Sequence, residues 1–258
     1  MKLDNYKDYK EYSVKIYDIH MAMSVLNWDQ ETKMPKNGSK FRAQQLSTLA
    51  KIAYELSTDN KYGKLLDTLN NDESLNSDQK RNIHLSRKQF LKNKKYSSDF
   101  IVKQSTLISK AFNDWRFAKE KNDFKLFQNS LEKLVELRKE ECELIGYINH
   151  PYDALLDRYE PNLTTKDVDL IFKDVKEKLV PFIKLIAKNN HVDESFFYQS
   201  YDHDKQWDFG VMLLKQMGYD FDSGRQDISA HPFSSHFSPE DARVTTRIDE
   251  NNLSEMIW

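Results

Sequence analysis

Apolar residues recur at three- and four-residue intervals along most of the chain, with Lys, Glu and Asp between them. That spacing predicts amphipathic helices, each with one face toward a core. Between Asp123 and Tyr147, the residues Phe124, Phe127, Leu131, Leu134 and Val135 mark such a stripe. Asn122 or Asp123 is expected to cap this helix, and Gly146 to stop it. Breaks follow at Asn149–Asp153 and Glu160–Asn162. Thr164 with Asp167 then resembles a capping box. Beyond it, Val168, Ile171, Phe172, Val175 and Leu179 form a second stripe, and Pro181 is expected to kink or end the helix. Further helices are expected at about 3–24, 39–57, 76–93, 98–119 and 194–217. No internal repeat or low-complexity linker interrupts them, so one continuous, mostly helical domain over 1–258 is the expectation.

The period changes after Gly218. Gly224–Ser229 reads as a short strand and His231–Glu240 as a loop with two prolines. Asp241–Ile248 alternates at period two: Ala242, Val244, Thr246 and Ile248 point one way, Asp241, Arg243, Thr245 and Arg247 the other. This predicts an edge strand, giving a small β element over 224–248. Asn251 or Asn252 is expected to cap a last helix ending at Trp258. Its residues Met256, Ile257 and Trp258 read as an exposed, interrupted turn, or alternatively as a turn docked on the core.

Composition narrows the class. Of 258 residues, 39% are hydrophobic and 31% charged, as in a soluble globular chain. Gly and Pro number only six each, which favours long helices. The 39 basic and 41 acidic residues are interspersed, leaving no sustained basic face for a nucleic acid. No apolar run is long enough to span a membrane, and the polar N-terminus does not read as a signal peptide. The single cysteine, Cys142, has acidic neighbours and reads as a spectator thiol. One cysteine in such a chain predicts a reducing, cytoplasmic setting.

Self-sufficient catalytic signatures are missing from the sequence. It holds no phosphate-binding glycine loop, no Gly-x-Ser-x-Gly and no His-Glu-x-x-His. None of His20, His84, His150, His191, His203, His231 and His236 pairs with another four residues away, as zinc-binding histidines on one helix do. The polar strand face remains. Arg243 beside Asp241 is either a structural ion pair or a planar fork offered to a ligand carboxylate, with Asp241 holding it in place.

His231-Pro232-Phe233 followed by Asp241-Ala242-Arg243-Val244-Thr245 is similar to the paired His-Pro-Phe and Asp-x-Arg-x-Thr motifs of the carboxypeptidase Taq family. Gly218–Phe221 leading into Gly224–Asp227, Tyr152–Pro161, Asn27–Pro35 and Arg42–Leu46 also resemble that family, so the likeness runs from about residue 20 to the last. The resemblance implies a mostly helical, zincin-related metallopeptidase fold with a long cleft. It also implies release of single residues from peptide C-termini, zinc or cobalt as the metal, and a homodimer. In the family's chemistry two histidines and a glutamate hold the ion, and the glutamate of His-Glu-x-x-His activates its water. The family is about twice as long, and its metal helix is expected just beyond Trp258.

No catalytic residue and no metal ligand is therefore carried onto this chain, which is expected to bind no catalytic ion and to be inactive alone. His231, Asp241, Arg243 and Thr245 are carried over as cleft-lining, substrate-binding residues. The strand itself is expected to run beside the bound peptide, as edge strands do. Trp28, Asp29 and Tyr152–Glu160 are assigned to packing and helix junctions. The alternatives are a non-catalytic peptide-binding or interaction protein of the same ancestry, and a half that joins a separately encoded second half.

Overall fold

The computed structural model describes residues 2–189 and 192–257, so His191 and Trp258 lie outside the described residues. The chain divides into two compact units, Met1–Ala154 and Leu155–Trp258, where the sequence suggested one continuous domain.

The first unit is helical. Its elements are α1 (Lys2–Thr32), α2 (Ser39–Ser57), α3 (Asn60–Asn70), α4 (Ser77–Asn93), α5 (Ser98–Lys121) and α6 (Lys125–Ile145), with α7 (Pro151–Leu156) at the point of division. Local chemistry sets the ends. Asp59 accepts from the amides of Lys61 and Tyr62 to start α3. Asn76 and Gln79 form a reciprocal capping box on α4. Of the two residues expected at the start of α6, Asn122 instead ends α5 in the left-handed region (φ 49), and Asp123 accepts from the Lys125 amide. Gly146, at φ 78, stops α6 as the sequence predicted.

The core joins α1, α3 and α4. Leu66, Leu69 and Ile83 are at most 1% exposed and pack with Tyr9, Tyr62 and Leu75. Each such aliphatic side chain stabilises the fold by about 1.5–3 kcal/mol. The sequence reading missed α3, whose Gly63 argues locally against a helix. A Cβ at Gly63 would sit 2.4 Å from the Phe90 ring, so the glycine permits close approach of α3 to α4. On α6 the buried line is Ser130, Leu137 and Glu141. It lies to one side of the expected stripe, and Phe124, Leu131 and Val135 face solvent.

The second unit contains α8 (Thr165–Asn189), a 3-10 turn at Ser195–Tyr198, α9 (His203–Gln216), β1 (Gly224–Ile228), β2 (Ser234–Ser238), β3 (Asp241–Thr246) and α10 (Ser254–Ile257). The Thr164–Asp167 box forms: the Thr164 amide donates to the Asp167 carboxylate (3.1 Å), and the Asp167 amide to Thr164 Oγ1 (3.3 Å). Pro181 lies inside α8 without ending it. None of α8's described residues is buried, so the stripe expected to meet a core is uncovered. Residues 194–217 divide into the 3-10 turn and α9, which Asp202 caps. Met256 of α10 is only 6% exposed, as in a docked turn.

The sheet order is β1-β3-β2, with β1 parallel and β2 antiparallel to β3. β2 and β3 form an antiparallel hairpin, and Ser234–Ser238 is a strand where the sequence was read as loop. β3 is the central strand, contrary to its reading as an edge. Both its sides are hydrogen-bonded within the sheet, so a peptide cannot add alongside it. No described helix is long and apolar enough to cross a membrane.

Candidate functional site

Parallel register places Arg225 beside Arg243, and Asp227 beside Thr245. Alternation therefore gathers Arg225, Asp227, Asp241, Arg243 and Thr245 on one face, with Gln226, Val244 and Thr246 on the other. The second face is covered within the unit: Thr246 Oγ1 donates to the Met256 carbonyl, and Gly210 of α9 lies against Gln226. Gly224 fits at the strand end for want of a side chain, since a Cβ would collide with the Ala242 carbonyl and the Tyr219 hydroxyl at 2.2 Å. Tyr219 donates to that same carbonyl, tying α9's end to β3. Burial pushes its hydroxyl pKa up.

The first face carries two mirrored ion pairs. Arg243 donates from Nε and Nη2 to the two oxygens of Asp241, both at 2.8 Å. Its guanidinium lies 4.9 Å from the centre of the Phe237 ring. A bidentate carboxylate below and a stacked ring fix the fork in one orientation. The Arg243 side chain is 19% exposed. The hydrogen bond from Arg243 holds the Asp241 carboxyl below its usual range, opposed by burial and aided by the Arg243 and Arg225 charges. Conversely, the Asp241 hydrogen bond raises Arg243. On β1, Arg225 makes the same two-pronged contact with Asp227, at 2.6 and 2.9 Å. There the carboxylate is 2% exposed and the guanidinium 52%.

The sequence-derived residues divide by role. Asp241 and Arg243 meet directly. Thr245 is buried and holds a turn: its hydroxyl accepts from the Phe233 amide (2.8 Å), bonds Ser229 Oγ (2.7 Å) and reaches the Phe233 carbonyl (3.1 Å). His231 is exposed, and its carbonyl accepts from Ser229, so Thr245 fixes the turn that carries it. Sequence reasoning missed Arg225, Asp227 and Phe237. The signal was present: Arg225-x-Asp227 repeats in reverse the spacing of Asp241-x-Arg243.

Several of the other singled-out residues serve structure. Arg42 donates to the Leu26 carbonyl and the Asp29 carboxylate, both at 2.5 Å, joining α2 to the end of α1. Trp28 is 6% exposed. Ala154 is buried, whereas Tyr152 and Tyr159 face solvent. Cys142 is buried, and burial with Glu141 and Glu143 nearby pushes its thiol up, away from nucleophilic use. Among the described residues no group of three or more His, Cys, Asp or Glu is placed to hold a metal ion, so no ligand set is assigned on this chain.

A family model described as carboxypeptidase Taq (M32) metallopeptidase matches residues 8–258. Carboxypeptidase 1 of Bacillus subtilis (strain 168) is 36% identical over 261 residues, covering 100% of this chain and 52% of that protein. Thermostable carboxypeptidase 1 of Pyrococcus furiosus is 32% identical over 238 residues, covering 91% and 48%. Among solved structures, the BsuCP crystal structure superposes with a TM-score of 0.94 at 35% identity, over 98% of this chain and 52% of that one. The chain spans about half the length of the curated relatives it matches.

Proposed function

The chain belongs to the carboxypeptidase Taq (M32) metallopeptidase family, and from that premise we propose that its β1–β3 face is the carboxylate-receiving part of a metal-dependent carboxypeptidase. The observation that carries this reading is Arg243: a guanidinium gripped by Asp241 and stacked on Phe237, within the matched motifs. With Nε and Nη2 donating to Asp241, the guanidinium would meet a ligand carboxylate end-on along its Nη edge, a planar geometry that a flexible lysine does not reproduce. The ligand is the free C-terminal carboxylate of a peptide. Asp241 orients the fork. Thr245 fixes the turn bearing His231, and both residues shape the cleft wall and do no chemistry themselves.

The hydrolytic step belongs to a bound divalent ion, zinc or cobalt. When bound in the assembled enzyme, such an ion would supply Lewis-acid chemistry toward the scissile carbonyl and water. Its ligands and the general base lie in the part of the relatives that this chain does not span. On its own the chain therefore binds peptide ends and cleaves nothing; activity, broad side-chain tolerance, homodimer formation and a cytoplasmic setting belong to the assembled enzyme.

The test compares binding of one short peptide to the 258-residue chain with its C-terminus free or amidated, by calorimetry. The free acid is expected to bind about tenfold or more tightly, and Arg243→Ala to erase that preference while the helical circular-dichroism signal stays unchanged. Equal binding of both peptides, or unfolding of the variant, would remove Arg243 from recognition and leave it structural. Peptide hydrolysis by the lone chain with stoichiometric zinc would overturn the assignment of catalysis elsewhere.

A further inference from the structure

Helix α8 is built to be enclosed, and none of its described residues is buried. Val168, Phe172, Val175, Leu179, Phe182 and Ile186 follow one another at intervals of four, three, four, three and four residues. That alternation aligns them as one continuous seam of the kind that takes knobs from a facing helix. Phe172 is 65% exposed and Phe182 55%. The seam runs on past Pro181 with the helix intact. A bare stripe of this length exceeds what soluble proteins leave facing water.

Two further observations choose the occupant. Exposed apolar residues also flank the seam: Ile171, at 51% exposure, and Leu185, at 57%, on one edge, and Ile183, at 54%, on the other. An apolar surface wider than one seam takes more than one partner element. A second copy of α8 laid along the seam covers the seam only. A large polypeptide covers the seam and both flanks, leaving the charged side in water. The family supplies one: the chain accounts for 52% of the Bacillus subtilis relative, and α8 lies inside the matched residues.

We infer that α8 is the docking helix for the half of the family's polypeptide that this chain does not span, and that a helix of that half seats on the Val168–Ile186 seam. Whether that half is joined covalently or supplied as a separate chain makes no difference to the surface. The inference rests on family membership and the half-length span, and is independent of how Arg243 meets a carboxylate.

The probe is the unspanned second half of the Bacillus subtilis relative, expressed as a separate chain and mixed with the 258-residue protein. Light scattering should report a one-to-one complex, and hydrogen exchange of residues 165–189 should slow about tenfold or more on mixing. Phe172→Lys combined with Phe182→Lys should abolish the complex. Because both side chains are exposed, the helical circular-dichroism signal of the lone double variant should match the parent. Glu177→Lys, on the charged side of α8, should leave binding intact. No complex, or a complex in which α8 exchanges as fast as before, would overturn the inference. So would concentration-dependent protection of α8 in the lone chain, which would assign the seam to a second copy. Loss of α8 protection leaves the free-acid preference at Arg243 untouched, and the reverse also holds, so the two readings fail separately.

Discussion

The two units are held together by opposite means. In the first, buried side chains are mainly apolar, with Leu66, Leu69, Ile83 and Leu137 all at most 1% exposed. In the second, the described residues include only two buried hydrophobic side chains, Phe237 and Met256, against six buried polar ones: Gln206, Gln226, Asp227, Ser229, Thr245 and Thr246. The first unit is thus organised by the hydrophobic effect, which is tolerant of direction. The second depends on hydrogen-bonded geometry, where each buried polar group needs its partner in place. Precise placement of a guanidinium is compatible with the second arrangement and hard to obtain from the first.

Substitutions can break that contrast in order of expected size. Leu66→Ala should destabilise the first unit by about 3–5 kcal/mol, read as a shift in its urea midpoint, because the transfer loss adds to a cavity that close packing cannot fill. A loss under about 1 kcal/mol would show that the α1–α3–α4 core is less tightly organised than its burial implies. Asp227→Asn should cost the second unit about 2 kcal/mol, since an amide nitrogen then faces the Arg225 fork in a buried position. Hydrogen exchange at the β1–β3 amides checks it, and an unchanged rate would mean the second unit does not depend on its buried pairs.

Acid comes next. Arg243 holds Asp241 deprotonated to lower pH in the fold than in the unfolded chain. That pair therefore contributes fully above the ordinary aspartate range and is lost as pH falls through the folded value. Asp241→Asn should lower the urea midpoint near pH 6, and its difference from the parent should shrink as pH falls below the ordinary aspartate range. A gap that persists in acid would locate the effect outside the ion pair. Smallest of all, Leu179→Ala on α8 should change the stability of the lone chain by less than about 0.5 kcal/mol, since its side chain is exposed. A large loss would show that the chain already covers the helix.

Most helices were legible from period alone, because three- and four-residue spacing of apolar groups reflects the geometry of the helix itself. What period cannot say is what a face meets. The α8 stripe was read correctly as apolar, yet none of its described residues is buried. The α6 stripe misled for a related reason: Ser130 and Glu141, satisfied by Asp114, Tyr96 and Arg138, occupy the contact line instead. Helix α3 was hidden because Gly63 looks like a breaker until Phe90 is placed beside it. β2 was hidden because its ladder partner, β3, supplies an order that Ser234–Ser238 lacks alone. At the candidate site, the Asp241–Arg243 contact was anticipated because period two puts i and i+2 on one face. Its duplicate on β1 needed the parallel register, which no local pattern carries.

The mirrored pairs have one more consequence. Arg225, Asp227, Asp241 and Arg243 together sum to no net charge, so their combined field fades within a few ångströms of the sheet. At physiological ionic strength even an unbalanced cluster is screened beyond about 8 Å. This group therefore exerts no long-range pull on anions diffusing nearby. On the proposed reading it would discriminate by shape at the moment of touch, and added salt should change how fast a peptide end arrives there far less than at an unpaired cationic patch.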